Sequence, residues 1–474
     1  MSKTAAIIGG GVIGGGWLAR FLLNGWDINV FDPDPEAERK ISEVLRNARH
    51  ALPMLYDQPL PPEGKIKFCT KIKDAVTQAD WIQESVPERL DIKHSVFTEI
   101  QESCRLEAVI GSSTSGFKPS ELQENAMRPE QIMVTHPFNP VYLLPLIELV
   151  PSAATGSKHI ETAKEVLETI GLYPLHVRKE IDAHIADRFL EAVWREGLWL
   201  IKDGIATTEE IDNAIRFGFG LRWAQMGLFE TFRIAGGEAG MAHFIAQFGP
   251  CLSWPWTKLT HVPELTDELT QMIADQSEAQ SGHKSIRELE RLRDNNLIVM
   301  MRALKQQGSA AGALITAHED KLRKPLRTTF PMRTVSRIIP VDWTDYNGHM
   351  NEGRYGQIFS DAADAFMIEI GADAEYIAAG NSFFTAETTI KYLAETLAGQ
   401  NVYVNTQVLR SDGKKVKLFH QMRGENDIIF ATCEQFMLHV NLTTRKSCPP
   451  LPQVQNRMDA LALAHKENKS CTLV

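Results

Sequence analysis

Three glycines near the amino terminus have the spacing G-x-G-x-x-G, within Gly9–Gly14. A short apolar run, Ala5–Ile8, comes directly before them, and an apolar helical stretch, Trp17–Leu23, follows. A glycine-rich turn between a strand and a helix lets a pyrophosphate lie against the backbone, where amides at the start of the helix bind it. The pattern therefore predicts a βαβ unit that binds a dinucleotide. The alternative is a glycine-rich turn without a ligand.

The positions within this turn have different tasks. Gly9 permits the tight turn, Gly11 lets the cofactor approach the backbone, and Gly14 lets the helix and the strand pack closely. Val12 and Ile13 complete the predicted cofactor-binding turn. We therefore expect all five residues to lie at the cofactor site.

The identity of the dinucleotide is indicated by Asp32, which follows the second apolar run, Ile28–Phe31. A carboxylate at this position would bind the ribose hydroxyls of the adenosine and repel a 2′-phosphate. Pro33, rather than an arginine, comes next. We therefore expect NAD rather than NADP as the cofactor.

The chain of 474 residues is long enough for about three domains. Short apolar runs alternate with amphipathic stretches over 1–182, which predicts a doubly wound α/β domain. Helical periodicity takes over in 183–320, and a basic, proline-containing linker is expected over 321–331. One amphipathic helix followed by four strand candidates predicts an α+β domain over 332–446. The sequence after it predicts a mobile tail over 447–474.

Composition argues against several classes of partner. The formal net charge of -10 disfavours nucleic acid and anionic membrane surfaces. No apolar stretch approaches the roughly 20 residues that span a bilayer, and Ala5–Ile8 indicates a strand rather than the core of a signal peptide. The six cysteines include no Cys-x-x-Cys pair, so we expect no metal site and a reducing, cytoplasmic setting.

Glu148 is the single charged residue in the apolar run Leu143–Val150. A buried carboxylate needs a partner, and His136 is the nearest suitable residue upstream. A histidine held by a buried glutamate is suited to act as a general base. Taken alone, the pattern also fits a solvent-facing Glu148 on an edge strand, and the dinucleotide motif favours the dehydrogenase interpretation.

Most of residues 1–320 resembles the 3-hydroxyacyl-CoA dehydrogenase family. The resemblance is carried by the glycine motif with Asp32, by Gly111–Ser115, and by His136–Pro140 followed by Glu148. It implies a Rossmann domain followed by an all-helical domain, with His136 and its partner Glu148 as the catalytic pair.

The same resemblance implies roles for four further residues. Ser115 and Asn139 would lie near the substrate hydroxyl. Glu88 and Lys93 would line the nicotinamide side of the cofactor site. For the last two, a solvated helix face is the alternative interpretation.

The family usually has an Asn-Arg pair early in the helical domain, where this chain has Asp187 and Arg188. An ionised aspartate cannot donate a hydrogen bond, which favours a cationic or smaller substrate over ordinary acyl-CoA. The alternative is that Asp187 pairs with a protein cation. The sequences around Asp187 and over 215–223 most resemble family members that oxidise L-carnitine, a 3-hydroxy acid with a trimethylammonium group. Aromatic faces bind such cations, and Phe138 and Phe219 are the expected contacts.

The loop Asp342–Asn351 and the helix after it resemble the hotdog-fold thioesterases of the 4-hydroxybenzoyl-CoA type, over about residues 332–445. The resemblance implies that Asp345 acts on the thioester as nucleophile or general base, with His349 and Asn351 lining the site. It also implies at least a homodimer, because hotdog sites form between protomers. The alternative is that Asn351 only caps the helix.

Together these resemblances imply a bifunctional enzyme that oxidises L-carnitine with NAD and hydrolyses betainyl-CoA to glycine betaine and CoA. A second hypothesis is a dehydrogenase for 3-hydroxybutyrate or a 3-hydroxyacyl-CoA, joined to a general acyl-CoA thioesterase. A third is a structural protein that only binds NAD. The set of Ser115, His136, Asn139 and Glu148 argues against the third hypothesis.

Overall fold

A computed structural model describes residues 3–235, 240–253, 257, 264, 266–322, 332–424 and 427–467. The chain divides into two compact units: the first comprises Met1–Ala51 with Pro61–His318, and the second comprises Leu52–Leu60 with Glu319–Val474. Within these described ranges, no helix is both long and apolar enough to cross a membrane.

The first unit contains an eight-stranded sheet in the order β3-β2-β1-β4-β5-β6-β7-β8. Its strands are β1 (Thr4–Ile8), β2 (Asp27–Phe31), β3 (Ile66–Phe68), β4 (Trp81–Glu84), β5 (Val109–Ser112), β6 (Ile132–Pro137), β7 (Leu146–Val150) and β8 (Tyr173–His176). Neighbouring strands are parallel except β6 and β7, which are antiparallel. The central strands are buried on both faces, as their continuous apolar sequences predict.

Six helices accompany this sheet: α1 (Val12–Leu23), α2 (Ala37–Ala51), α3 (Ile72–Val76), α4 (Leu90–Ser103), α5 (Pro119–Leu122) and α6 (Ser157–Thr169). One hydrophobic core lies between strands and helices and includes Ile8, Ile82, Phe97 and Val134. Helix α1 begins at Val12, earlier than its apolar run predicts, because the glycine turn ends at the cap residue Gly11.

The rest of the first unit is helical. Its described helices are α7 (Ala186–Lys202), α8 (Thr208–Ala214), a π-helical turn (Ile215–Phe219), α9 (Gly220–Ala235), α10 (Gly240–Phe248), α11 (Asp267–Ser281), α12 (Ile286–Gln306) and α13 (Ala310–Leu322). The hydroxyl of Tyr142 donates to the buried Asp294 on α12 at 2.7 Å, which joins this part to the sheet domain. Of the predicted linker, 321 and 322 belong to α13, and 323–331 lie outside the described residues.

The second unit contains an antiparallel sheet in the order β10-β13-β12-β11-β9, with β14 paired to β13. Its elements are β9 (Met332–Ile338), α14 (Glu352–Glu369), α15 (Ala374–Ala378), β10 (Asn381–Tyr392), β11 (Asn401–Asp412), β12 (Lys415–Gly424), β13 (Ile429–Asn441), β14 (Lys446–Ser447) and α16 (Pro452–Glu467). The apolar face of α14 packs on the sheet through Tyr355, Ile358, Phe359 and Ala362. This is the predicted α+β hotdog arrangement.

The prediction of a mobile tail over 447–474 is wrong for helix α16. Val454 and Met458 are buried in a hydrophobic core of the second unit that includes Phe366 and Leu418, and Leu461 packs against this core. One apolar stripe at helical spacing thus packs the helix against that core. The side chain of His465 accepts a hydrogen bond from the amide of Val408 at 2.9 Å. The many polar residues between these anchors concealed the stripe in the sequence. Residues 468–474 lie outside the described residues.

Candidate active sites

The glycine turn between β1 and α1 has the geometry that a dinucleotide requires. Gly9 has a φ of +99°, and a Cβ there would lie 2.5 Å from the carbonyl oxygen of Ser85. A Cβ on Gly14 would lie 1.8 Å from the carbonyl oxygen of Gly9. A Cβ on Gly11 would meet nothing within 4 Å, so open space lies at the start of α1, next to the exposed Val12 and the partly exposed Ile13. A phosphate can therefore reach the helix amides there.

Asp32 lies beside this turn. One carboxylate oxygen accepts the amide of Gly10, and the other accepts the amide of Asp34 at 2.7 Å. A mostly apolar cavity of about 620 Å³ begins at these residues; its lining includes Gly11, Phe31, Asp32, Val86, Ile92 and Val96. The turn, the acid and the cavity fit the pyrophosphate, the ribose and the adenine of NAD.

His136 and Glu148 are direct neighbours across the antiparallel pair β6–β7. The Nδ1 atom of His136 lies 3.0 Å from Oε2 of Glu148, and both side chains are buried. The amides of Ile185 and Ala186 donate to Oε1 of Glu148 at 2.8 and 2.9 Å. The carboxylate is thus bound on both oxygens, partly by the start of helix α7, and cannot be the solvent-facing residue that the sequence alone also allowed.

These contacts fix the charge of Glu148 and the tautomer of His136. Burial by itself raises the pKa of Glu148, but the hydrogen bonds from His136, Ala186 and Ile185 outweigh it and leave the pKa below its ordinary value. An ionised carboxylate only accepts hydrogen bonds, so Nδ1 of His136 carries the proton. The lone pair on Nε2 is then free to accept a proton from a substrate.

Three further side chains lie close to His136. Oδ2 of Asp187, on α7, lies 3.6 Å from Nε2. The ring of Phe138 meets the imidazole edge-on with 4.9 Å between centroids, and the ring of His184 lies 5.6 Å away. Burial raises the pKa of Asp187, although the nearby His136 opposes the shift. The structure therefore brings together the predicted pair, Asp187 and Phe138.

The other predicted substrate and proton-transfer residues lie apart from these contacts. Ser115 follows β5, Asn139 follows β6, and both are exposed. Within the described residues, neither side chain is hydrogen-bonded to His136. Phe219 lies in the π-helical turn and packs on Trp223, with 4.6 Å between ring centroids. The roles of these three residues remain predictions.

Glu88 and Lys93 belong to an ion-pair network in which Lys93 and Glu84 are buried, whereas the side chain of Glu88 is 46% exposed. Nζ of Lys93 lies 2.8 Å from Glu84 and 3.2 Å from Glu88. Glu84 also accepts the hydroxyl of Ser112 at 2.5 Å, and Glu88 accepts the hydroxyl of Thr114. Lys93 is 1% exposed, so the solvated helix face considered for it is wrong. The network fastens the carboxyl ends of β4 and β5 beside the cofactor cavity.

Sequence reasoning missed Glu84 and His184. Glu84 ends the apolar strand β4 and is buried, so the argument that identified Glu148 applies equally to it. His184 is buried beside His136 with a φ of +52°, in a segment that reads as an ordinary helix start. No local signal in the sequence indicated its position.

The second candidate site lies at the start of α14. Asp345 uses Oδ1 to accept the amides of Asn347 at 2.8 Å and His349 at 3.3 Å, and Asp345 lines a cavity of about 600 Å³. Nε2 of His349 lies 3.3 Å from Glu395. Asn351 caps α14 by accepting the amide of Gly353 at 3.0 Å, as the capping alternative predicted, and also lines this cavity.

Comparisons with known proteins match both sites to families. Residues 4–181 match the NAD-binding domain of 3-hydroxyacyl-CoA dehydrogenase, 184–270 its C-terminal domain, and 339–458 the thioesterase-like superfamily.

Two curated relatives are similar over long stretches. The L-carnitine dehydrogenase/betainyl-CoA thioesterase of Ruegeria pomeroyi is 65% identical over 97% of this chain and 96% of its own length. The L-carnitine dehydrogenase of Mesorhizobium japonicum is 57% identical over 68% of this chain and 89% of its own. Among solved structures, an NAD-dependent pyridine-carboxylate 5-dehydrogenase matches 65% of this chain and 100% of its own, with 26% identity and a TM-score of 0.55.

Proposed function

This chain belongs to the 3-hydroxyacyl-CoA dehydrogenase family and carries a thioesterase-like domain, and we propose that it oxidises L-carnitine with NAD and hydrolyses betainyl-CoA. The single observation that carries the first activity is the buried His136–Glu148 pair. The relatives that match nearly the whole chain support the two substrates by their names. An intact proton acceptor argues against a protein that only binds NAD.

In the dehydrogenase reaction, Nε2 of His136 takes the proton from the C3 hydroxyl while a hydride leaves C3. NAD would be held by the glycine turn and Asp32 and would supply the hydride acceptor. Glu148 holds the imidazole in the tautomer with the free Nε2 and stabilises the imidazolium that forms. Ser115 is proposed to donate a hydrogen bond to the substrate oxygen, and Asn139 to lie beside it. The product is the 3-keto acid 3-dehydrocarnitine.

In the thioesterase reaction, Asp345 is proposed to attack the thioester carbonyl or to activate a water that does so. The amides of Asn347, Gly348 and His349 all donate to Asp345, so they are not available to the substrate. The amides at the start of α14, where Glu352 lines the cavity, can polarise the thioester carbonyl instead. His349 and Asn351 line the same cavity. Hydrolysis of betainyl-CoA then releases glycine betaine and CoA.

The dehydrogenase proposal is tested by NAD reduction with L-carnitine, 3-hydroxybutyrate and 3-hydroxybutyryl-CoA. We expect a higher kcat/KM for L-carnitine, because Asp187 places a carboxylate at the reacting centre. Equal or higher values for a substrate without the ammonium group would favour the second hypothesis. Release of CoA from betainyl-CoA and from acetyl-CoA gives the matching comparison for the thioesterase.

A homodimer is supported by large apolar side chains that are exposed on the helical part of the first unit. They include Phe189, Trp194, Phe217, Leu221 and Phe229, which are 53–74% exposed. Such a surface is typical of an interface, and a second copy would cover it. Light scattering should give twice the chain mass of 53.1 kDa. A monomer at micromolar concentration would contradict this. NAD and CoA chemistry and the free described cysteines support a cytoplasmic setting.

A further inference from the structure

Asp187 lacks a cationic partner at the place where the reaction occurs. Its carboxylate lies 3.6 Å from Nε2 of His136, and its side chain is 19% exposed. In the described part of the chain, no lysine or arginine lies within ion-pair distance of it. His136 does not balance its charge either, because this histidine is neutral when it acts as a base. An ionised carboxylate held this way is costly unless a ligand supplies the positive charge.

His184, the other titratable neighbour, adds no positive charge. It is fully buried, and burial lowers its pKa. Its Nε2 lies 3.4 Å from the carbonyl oxygen of Thr114, so the proton of the neutral ring belongs on Nε2. Its Nδ1 is buried without a hydrogen-bond partner. The centre thus places two carboxylates, Glu148 and Asp187, beside two imidazoles.

We propose that Asp187 is a specificity-determining residue that supplies the counter-charge for a quaternary ammonium group on the carbon next to the reacting carbon. This inference rests on the proposed function and extends it. A quaternary ammonium has no N–H group, so an undirected Coulomb attraction, rather than a hydrogen bond, must recognise it. A carboxylate without a partner at the edge of the site meets that need.

Covalent geometry places the two charges close together. The hydroxyl oxygen of a bound substrate must approach Nε2 of His136 to about 3 Å. The ammonium nitrogen of L-carnitine is two bonds from the carbon that bears this hydroxyl, or about 2.5 Å. Because Asp187 flanks the same Nε2, a substrate bound with its ammonium group toward α7 brings that group within a few ångströms of the carboxylate. Phe138, whose ring meets that of His136 edge-on with 4.9 Å between centroids, offers an aromatic surface to the methyl groups.

Asp187 has a rival role, because its carboxylate could instead stabilise the imidazolium that His136 becomes during the reaction. The two roles differ in how they depend on the substrate. Stabilisation of His136 is needed for every alcohol, whereas a counter-charge is needed only for a cationic one. A neutral substrate of the same shape therefore separates them. The carbon isostere of L-carnitine, 3-hydroxy-5,5-dimethylhexanoate, replaces the trimethylammonium group by a tert-butyl group.

The test compares wild type and Asp187→Asn with both substrates, in the full-length protein. We expect kcat/KM for L-carnitine to fall by about 100-fold, mostly through KM, because one close charge pair is lost. We expect kcat/KM for the neutral isostere to stay within about threefold or to rise. Asp182→Asn is the matched control: it removes the same charge five residues earlier, from an 85% exposed carboxylate that pairs with Lys118 at 3.0 Å. It should leave both substrates unchanged.

Two results would overturn the inference. Equal losses for both substrates would assign Asp187 to His136 rather than to the ammonium group. Unchanged values for both would show that the ammonium group is recognised elsewhere. Failure of the proposed function looks different, because wild type would then not oxidise L-carnitine at all while remaining active on another 3-hydroxy acid. NAD binding by each variant, measured by fluorescence, confirms that the protein is folded.

Discussion

Replacing Glu148 by glutamine should inactivate the dehydrogenase without unfolding it. Oε1 of Glu148 accepts two backbone amides, and Oε2 accepts Nδ1 of His136. In the variant, the amide oxygen must keep the two backbone donors, because the NH₂ group would face them donor to donor. The NH₂ group therefore faces His136 and donates to Nδ1. The imidazole proton then moves to Nε2, the atom that has to receive the substrate proton.

The size of this effect follows from the loss of the base. Proton transfer by a positioned side chain contributes about 10²- to 10⁴-fold, and a wrong tautomer removes that contribution. We expect kcat/KM for L-carnitine to fall by about 10³- to 10⁴-fold, which corresponds to roughly 4–5.5 kcal/mol of transition-state stabilisation. The side-chain volume hardly changes, and NAD binding should be preserved, because the glycine turn and Asp32 are untouched.

The assay is steady-state NAD reduction combined with a primary isotope effect on L-carnitine deuterated at C3. Because proton abstraction accompanies hydride transfer, the variant should show a full isotope effect even if product release limits wild type. Glu191→Gln on α7, whose carboxylate lies 3.4 Å from Arg195, is the control. Retention of more than a tenth of the wild-type kcat/KM in the glutamine variant would refute the assignment of His136 as the base.

Three further predictions concern other parts of the chain. Gly11→Val should weaken NAD binding at least tenfold without lowering the melting temperature, whereas Gly14→Ala should lower it, because its Cβ would meet the backbone of Gly9 at 1.8 Å. Calorimetry measures the melting temperature and titration measures NAD binding. If both variants changed both quantities equally, the separate roles assigned to Gly11 and Gly14 would be wrong. Asp345→Asn should reduce betainyl-CoA hydrolysis by at least 100-fold while NAD reduction continues; a parallel loss of both activities would argue against separate sites. Burial lowers the pKa of His420 from 6.5 to about 4, so the unfolded chain binds more protons as the pH falls through this window. The unfolding free energy of the second unit, measured by chemical denaturation, should therefore drop by about 3 kcal/mol between about pH 6.5 and 4. A drop of the same size in His420→Gln, which lacks the titrating imidazole, would contradict this prediction.

The sequence predicted the fold well because its elements follow from local patterns. The strand before Gly9, the apolar stripe of α14 and the four long strands after it all have the period of the structure they form. The tail failed because three apolar anchors, Val454, Met458 and Leu461, stand among polar residues. Their spacing indicates a helix only once a partner surface is known.

The candidate site was predictable where chemistry forced a pairing. A carboxylate in an apolar strand required a partner, which led from Glu148 to His136. The remaining partners come from the start of α7, where the amides of Ile185 and Ala186 depend on a turn with two left-handed residues, Ala183 and His184. Backbone direction at such a turn has no signature in residue type when neither position is glycine.

The donors that hold Glu148 come from a different part of the chain than Glu148 itself. Glu148 lies on β7, which ends at Val150, whereas the two backbone amides that bind it belong to Ile185 and Ala186, farther along the chain. A growing or truncated chain that stops at 181 would possess the glycine turn and Asp32, yet its glutamate would lack those donors. Loss of the helical part would therefore remove two of the three donors that hold Glu148 without removing any residue of the glycine turn.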